Sequence, residues 1–279
     1  MTIARPTTLD QALDALQDMP DAHLLAGGTD LMVEVNHGQR RPRRIVALRR
    51  VAELQGVDST DDGIDLGALT TYRQVETDLA ADAPGLAMAS RTVGSPQIRN
   101  AGTIGGNIGT ASPAGDALPW LIAMDAEVEL AGPEGTRRLP LAEFLVGVKQ
   151  TAIAAGEIVT RVHVPDIQGP QHVAKIGPRS AMAISVASLA LVLDTAGRRV
   201  RAALGSVGPT PIRPTAAEDA ISQAIDWDAL SCTADDVDSF GQAVARAAAP
   251  ITDHRSTAEY RRHAVGVLAT RTLTRCLFT

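Results

Sequence analysis

Two short runs hold the residue types best suited to chemistry: Leu25-Ala26-Gly27-Gly28-Thr29-Asp30-Leu31 and Thr103-Ile104-Gly105-Gly106-Asn107. A backbone without Cβ atoms can approach a pyrophosphate closely and turn its N–H groups toward the oxygens, and threonine hydroxyls add donors. No lysine is needed at such a site. A glycine pair also makes a tight turn with no ligand involved, so either run alone reads first as turn chemistry. Two such runs, each with its threonine, point instead to one shared anion.

Other chemistries are poorly served by the spacing. Gly102, Gly105, Gly106 and Gly109 do not follow the dinucleotide fingerprint of a Rossmann fold. The phosphate loop that ends in Gly-Lys-Ser/Thr is absent, as is the nucleophile elbow of hydrolases. The six histidines, at 23, 37, 163, 172, 254 and 263, form no close ligand pair, so no metal site is expected. Cys232 and Cys276 stand far apart and cannot build an iron-sulfur cluster. If electrons pass through such clusters, a partner holds them.

Composition narrows the class further. The 279 residues carry 45% hydrophobic and 21% charged side chains with a formal net charge of -6, as in an ordinary globular protein with a sizeable core. The basic run at 39–50 could suit a nucleic acid, but the acidic balance and the 3% aromatic content argue against one. A solvated arginine face or a partner contact is the better reading of that run. The longest nearly apolar stretch, 182–193, falls short of the 18 or so residues of a membrane span. The N-terminal MTIARPTTLDQALDAL lacks the apolar centre of an export signal, so a cytoplasmic location is expected.

The elements that must hold the two runs follow from periodicity. Residues 8–19 predict a helix with a Thr8/Gln11 capping box, and 23–26 a buried strand running into the first glycine pair. Strands are expected at 44–48 and 63–68, then a helix capped by Thr70-Thr71 and another over 84–92. The stretch 94–116, rich in Gly, Ser, Thr, Asn and Pro, reads as one long loop. A short helix at 117–124 and strands at 126–130, 137–139 and 157–164 follow. Pro165-Asp166 and Gly169-Pro170 mark the main boundary. Beyond it, strands at 183–193 and 198–207 and helices near 215–224, 235–248 and 257–277 make an α+β unit without internal repeats.

Three segments occur together in order: LLAGGTDL at 24–31, QIRNAGTIGGNIGTASPAGDALP at 97–119 and ALGSVGPTPIRPTAAE at 203–218. With DHRSTAEYRRHAVGVLATR at 253–271, they make the chain resemble, along nearly its whole length, the FAD-binding medium subunit of the xanthine dehydrogenase and carbon monoxide dehydrogenase family of molybdenum hydroxylases. The resemblance implies an α+β fold: a two-part FAD-binding domain of the vanillyl-alcohol-oxidase type at 1–168, divided near residue 55, then a smaller domain at 169–279. By position it implies that Leu25, Ala26, Gly27, Gly28, Thr29, Asp30 and Leu31 hold the pyrophosphate from one side. Thr103, Ile104, Gly105, Gly106 and Asn107 would hold it from the other.

Asp116 matches an acidic residue that contacts the ribose or adenosine end, although the same aspartate could cap the helix after it. Val159 matches a position packed on the cofactor, although an inward strand valine is core by default. Lys175 matches a lysine near the flavin, where a cation would stabilise the reduced ring. Thr29-Asp30 and Asn107 resemble the xanthine dehydrogenase branch more than the carbon monoxide branch. The cysteine-rich insertion of the 4-hydroxybenzoyl-CoA reductase branch is not present.

The implied activity is electron transfer. A molybdenum cofactor on a large subunit oxidises the substrate, two [2Fe-2S] clusters on a small subunit relay single electrons, and FAD on this chain passes them to NAD, oxygen or a quinone. The implied assembly is a dimer of heterotrimers, and no side chain of this chain need act as a nucleophile or base. Two other readings stay open: a self-contained FAD oxidoreductase, for which the aromatic-poor final third offers little pocket, and a cofactor-free scaffold with the same fold.

Overall fold

The computed structural model describes residues 1–278; Thr279, the last residue of the expected C-terminal domain, lies outside the described residues. The first unit contains β1 (Thr2–Ala4), α1 (Leu9–Asp18), β2 (His23–Leu25), α2 (Leu31–Asn36) and β3 (Arg44–Ala47). Its strands form a parallel sheet in the order β1-β3-β2, with Thr2 opposite Arg44 and His23 opposite Ile45. Parallel neighbours need a crossover, which α2 and its flanking turns supply between β2 and β3. Thr8 caps α1 through the Gln11 N–H. The return bond departs from the expected box: Gln11 Oε1 accepts from the N–H and hydroxyl of Thr7, one residue early. β2 is half-buried rather than buried, because it borders a cleft.

The second unit opens with β4 (Val57–Thr60) and β5 (Gly63–Gly67). It continues through α3 (Tyr72–Asp78), α4 (Pro84–Arg91), α5 (Pro96–Ala101), α6 (Ile104–Thr110) and α7 (Leu118–Ala123). It closes with β6 (Glu127–Gly132), β7 (Gly135–Pro140), α8 (Leu141–Phe144), β8 (Leu145–Gly147), β9 (Gln150–Thr151) and β10 (Ile158–Pro165). Five strands pair antiparallel in the order β4-β5-β10-β6-β7. Thr71 and Gln74 complete a reciprocal capping box on α3. The expected long loop at 94–116 is corrected. It contains α5 and α6, each one to two turns and each started by a hydroxyl cap, Ser95 and Thr103. Glycine-rich composition concealed them, since glycine is a poor helix former away from tertiary support.

The third unit is β11 (Gln171–Ile176), β12 (Ala187–Asp194), β13 (Arg199–Gly205), α9 (Thr215–Ala224), α10 (Ala234–Ala247) and α11 (Ala258–Leu277). Every residue of β12 is buried. Ala187, Leu189, Leu191 and Leu193 face a core shared with α9, α10 and α11, while Ala190 and Val192 enter the core of the second unit with Trp120. The sheet is therefore covered on both sides, and its second cover is the unit before it. Gln171 fastens that contact, accepting from Trp120 Nε1 at 2.9 Å and from the Gly85 N–H at 3.2 Å. Among the described residues no helix is long and apolar enough to cross a membrane, and no group of three or more acidic, histidine or cysteine side chains is placed to hold a metal.

The run at 253–271 has a mechanical role. Arg261, 3% exposed, donates to the carbonyls of Val186 and Ser206 at 2.9 and 3.0 Å and to Asp253 at 2.7 Å, tying α11 to the end of the sheet where β12 begins and β13 finishes. Replacing it with methionine roughly keeps the volume but strands two carbonyls and takes one donor from Asp253, which keeps those of Arg255 and Ser256. Arg261→Met is expected to lower stability by about 2–4 kcal/mol, read as a drop in the thermal unfolding midpoint.

Candidate functional site

Both glycine runs border one cleft of ≈ 940 Å³ between the first and second units. The chain leaves β2 and must reverse into α2 within a few residues. Gly28 does this at φ 75°, where a side chain is strained. Gly27 has a different reason. A Cβ there would stand 1.8 Å from the Ala101 carbonyl oxygen, so only glycine lets this loop touch the end of α5. The N–H groups of Gly27, Gly28, Thr29, Asp30 and Leu31 find no acceptor among the described residues. Five successive unpaired donors at a cleft form an anion-binding concavity.

The opposite wall is built otherwise, and here the expectation of two matching bends is corrected. Ile104 N–H donates to the Thr70 carbonyl, Gly105 N–H to that of Ala68, Gly106 N–H to Thr103 Oγ1 and Asn107 N–H to the Thr103 carbonyl. This run is the capped start of α6, and its amides are used by the fold. Thr103 N–H alone remains without an acceptor. Gly105 is needed for packing, because a Cβ would lie 2.5 Å from that of Ala68. Across the gap Thr110 Oγ1 donates to Asp30 Oδ2 at 3.3 Å, joining the two walls.

Thirteen of the residues singled out in the sequence line this cleft: Leu25, Ala26, Gly27, Gly28, Thr29, Asp30, Leu31, Thr103, Gly105, Gly106, Asn107, Asp116 and Val159. Ile104 does not; it is fully buried in the core of the second unit, as the apolar first residue of a half-exposed helix would be. Lys175 does not line it either. Its ammonium stands behind the wall, donating to Asp116 Oδ2 at 2.7 Å and to the Thr92 carbonyl at 3.1 Å. Asp116 is no helix cap, since α7 is preceded by Ala117 and has no side-chain cap bond. Burial pushes the Asp116 carboxyl up to about 6, against the pull of Lys175. Three cleft atoms are buried without partners: Asp116 Oδ1, Asn107 Oδ1 and His23 Nδ1.

Several cleft residues went unnoticed in the sequence. Tyr72 is buried beside the cleft, and burial, with Asp116 and Asp30 nearby, pushes its phenol well above the usual range. Lys149 reaches Glu34 of α2 at 2.6 Å from 115 residues away, and Arg40 reaches the same carboxylate at 2.5 Å. Its bond to Lys149 holds Glu34 below the usual carboxylate range despite partial burial. No local pattern marks Lys149, whereas Arg40 belongs to the basic run at 39–50. The rest of the basic run is partly architectural: Arg44 opens β3 and pairs with Asp21.

Comparison with known proteins gives matches along the chain. A family described as "FAD binding domain in molybdopterin dehydrogenase" matches residues 1–167, and one described as "CO dehydrogenase flavoprotein C-terminal domain" matches 172–276. The xanthine dehydrogenase FAD-binding subunit of Escherichia coli O157:H7 is 32% identical over 279 residues, covering 96% of this chain and 93% of the relative. The nicotinate dehydrogenase FAD-subunit of Eubacterium barkeri is 36% identical over 228 residues, covering 77% of each. A chain of reconstituted CO dehydrogenase from Oligotropha carboxidovorans superposes with a TM-score of 0.90 at 28% identity, covering 99% of this chain and 97% of that one.

The glycine contacts separate two kinds of substitution within the cleft. Gly27→Ala is expected to cost more than about 3 kcal/mol, because neither backbone can retreat without parting the walls. Gly109, inside α6, has open space where its Cβ would point. Gly109→Ala is expected to stabilise by roughly 0.5–1 kcal/mol through helix propensity and reduced unfolded-state entropy. Denaturant unfolding of the two variants checks both signs.

Proposed function

The chain belongs to the FAD-binding subunits of the molybdenum hydroxylase family, and from that premise we propose that the cleft holds one FAD with its diphosphate on the loop of residues 27–31. The observation that carries this reading is the row of five unpaired N–H groups facing the capped start of α6. FAD, when bound, supplies a ring that takes up electrons singly and releases them in pairs. The chain's own part is to bind and orient. The N–H groups of Gly27, Gly28, Thr29, Asp30 and Leu31, with that of Thr103, donate to phosphate oxygens, a role that needs no cation in contact. Asn107 Oδ1 and Asp116 Oδ1, which lack donors, accept from hydroxyl groups. Leu25, Ala26 and Val159 give apolar walls. Gly105, Gly106 and Ile104 act through the backbone, fixing α6, and Lys175 acts from behind the wall.

In this reading a small subunit with [2Fe-2S] clusters delivers electrons to the cleft, and NAD, oxygen or a quinone removes them. A large subunit with the molybdenum cofactor oxidises the substrate, the whole forming a dimer of heterotrimers in the cytoplasm. The division into cofactor and C-terminal domains falls at 168/169, within the connection from β10 to β11, with a further division of the first near 55. The substrate is chosen elsewhere. Relatives named for xanthine and nicotinate share about a third of this chain's residues, and one named for carbon monoxide keeps its fold.

Purified chain is expected to carry one FAD, to be reduced by dithionite, and to stay oxidised with candidate organic substrates until the partner subunits are added. Anaerobic spectrophotometry reads all three. Rapid bleaching by a substrate on the isolated chain would show direct oxidation at this cleft and overturn the electron-transfer role, while failure to take up FAD would overturn the cofactor assignment.

A further inference from the structure

We propose that Lys175 is a positioning residue for the cofactor: it holds the Asp116 carboxylate ionised, with Oδ1 presented to the cleft as an acceptor for a sugar hydroxyl. The inference rests on FAD being the occupant of the cleft. The side chains of Lys175 and Asp116 are 10% and 12% exposed, so their 2.7 Å bond is shielded from water. The lysine is fixed from a second side by the Thr92 carbonyl at the C-terminal end of α4. It is one removed from the cleft, whereas Asp116 lines it.

The carboxylate is left half satisfied. Oδ2 takes the ammonium, and Oδ1 is buried with no donor. An unfilled acceptor on a buried charge is costly, and the fold offers it nothing, because α7 starts one residue too late to use it as a cap. A carboxylate oxygen accepts hydrogen bonds from hydroxyl groups and repels phosphate. The polarity of the cleft follows: phosphate at the free amides of 27–31, a hydroxyl-bearing sugar at Asp116. Without a cation behind it, a carboxyl so buried would take up a proton and lose this capacity. The titratable groups facing Asp116 are Lys175 of β11 and Tyr72 of α3, with Asp30 acting on the same phenol, so Lys175 is the cation that opposes burial.

The test is FAD titration of the full chain from pH 5 to 9, with Lys175→Met, Lys175→Arg, Asp116→Asn and the double variant Lys175→Met/Asp116→Asn. Carboxyl carbon NMR of Asp116 in FAD-free protein accompanies it. Wild-type affinity is expected to be level above pH 7 and to fall as Asp116 protonates near pH 6. Lys175→Met should move that fall upward by a pH unit or more and weaken FAD at pH 7 by roughly tenfold, as expected for losing one charge-assisted bond. Lys175→Arg should restore most of the affinity. Asp116→Asn should bind weakly and without pH dependence over this range, and adding Lys175→Met to it should change little.

An Asp116 NMR titration unmoved by Lys175→Met overturns the proposal. So does an equal loss from Lys175→Met in the wild-type and Asp116→Asn backgrounds. The NMR titration needs no FAD, so wild-type protein that binds no FAD while Asp116 still responds to Lys175 overturns the cofactor assignment and, with it, the sugar-hydroxyl role.

Discussion

The contact of the Gly27 backbone with the Ala101 carbonyl sets the rest of the site. It is made between units with separate sheets, and it holds the loop after β2 against the end of α5, leaving no room for a side chain. A loop pinned in that position cannot fold back on β2 or on its own helix, so its successive N–H groups stay without partners. Main-chain donors left free at the wall of a cleft are available to an outside acceptor, which suits the pinned loop to an anion. The Thr110 bond to Asp30 closes the same gap from the far end of α6.

The two walls then differ in kind. One offers donors, and the other offers a rigid surface whose amides are already used and whose open atoms are mostly acceptors: Asn107 Oδ1 and Asp116 Oδ1. A molecule with phosphates at one part and hydroxyls at another fits such a gradient, whereas a simple dianion would satisfy one wall and be repelled by the other. The cations near the entrance do not blur this distinction. Lys149 and Arg40 are both engaged by Glu34, so they anchor α2, which buries no residue of its own.

Much of this was legible in the sequence, for identifiable reasons. The last three helices and the strands β5, β6, β10, β12 and β13 have long periodic or unbroken apolar patterns, and they stand within a few residues of where the pattern puts them. β4 is exposed at every position and β11 is half-buried throughout, so neither shows an apolar alternation to read. α5 and α6 were hidden because tertiary contacts with Thr70, Ala68 and the first glycine loop, rather than propensity, stabilise them. The site residues were marked by glycine and threonine spacing where backbone geometry decides. Lys149, Tyr72 and His23 depend on side chains meeting across long sequence separations, which spacing does not encode. The same limit explains Lys175. Position suggested a lysine near the cofactor, but only the fold shows it one side chain away, behind Asp116.

That placement ties the C-terminal unit to the cleft. β11 carries Gln171 and Lys175 on one strand: the first bonds Trp120 beneath α4 and the second bonds Asp116 at the cleft wall. Between them, Ala190 and Val192 of β12 complete the core that Trp120 and Leu121 fill. Apolar burial of this kind contributes about 1.5–3 kcal/mol per large side chain, far more than any one polar contact at the junction. The hydrophobic contact therefore fixes where the sheet sits, and the buried ion pair follows from that position. A C-terminal sheet packed this way backs the wall of the cleft, so shifting it by even one strand register would turn Lys175 to the opposite face and leave a buried carboxylate without its cation.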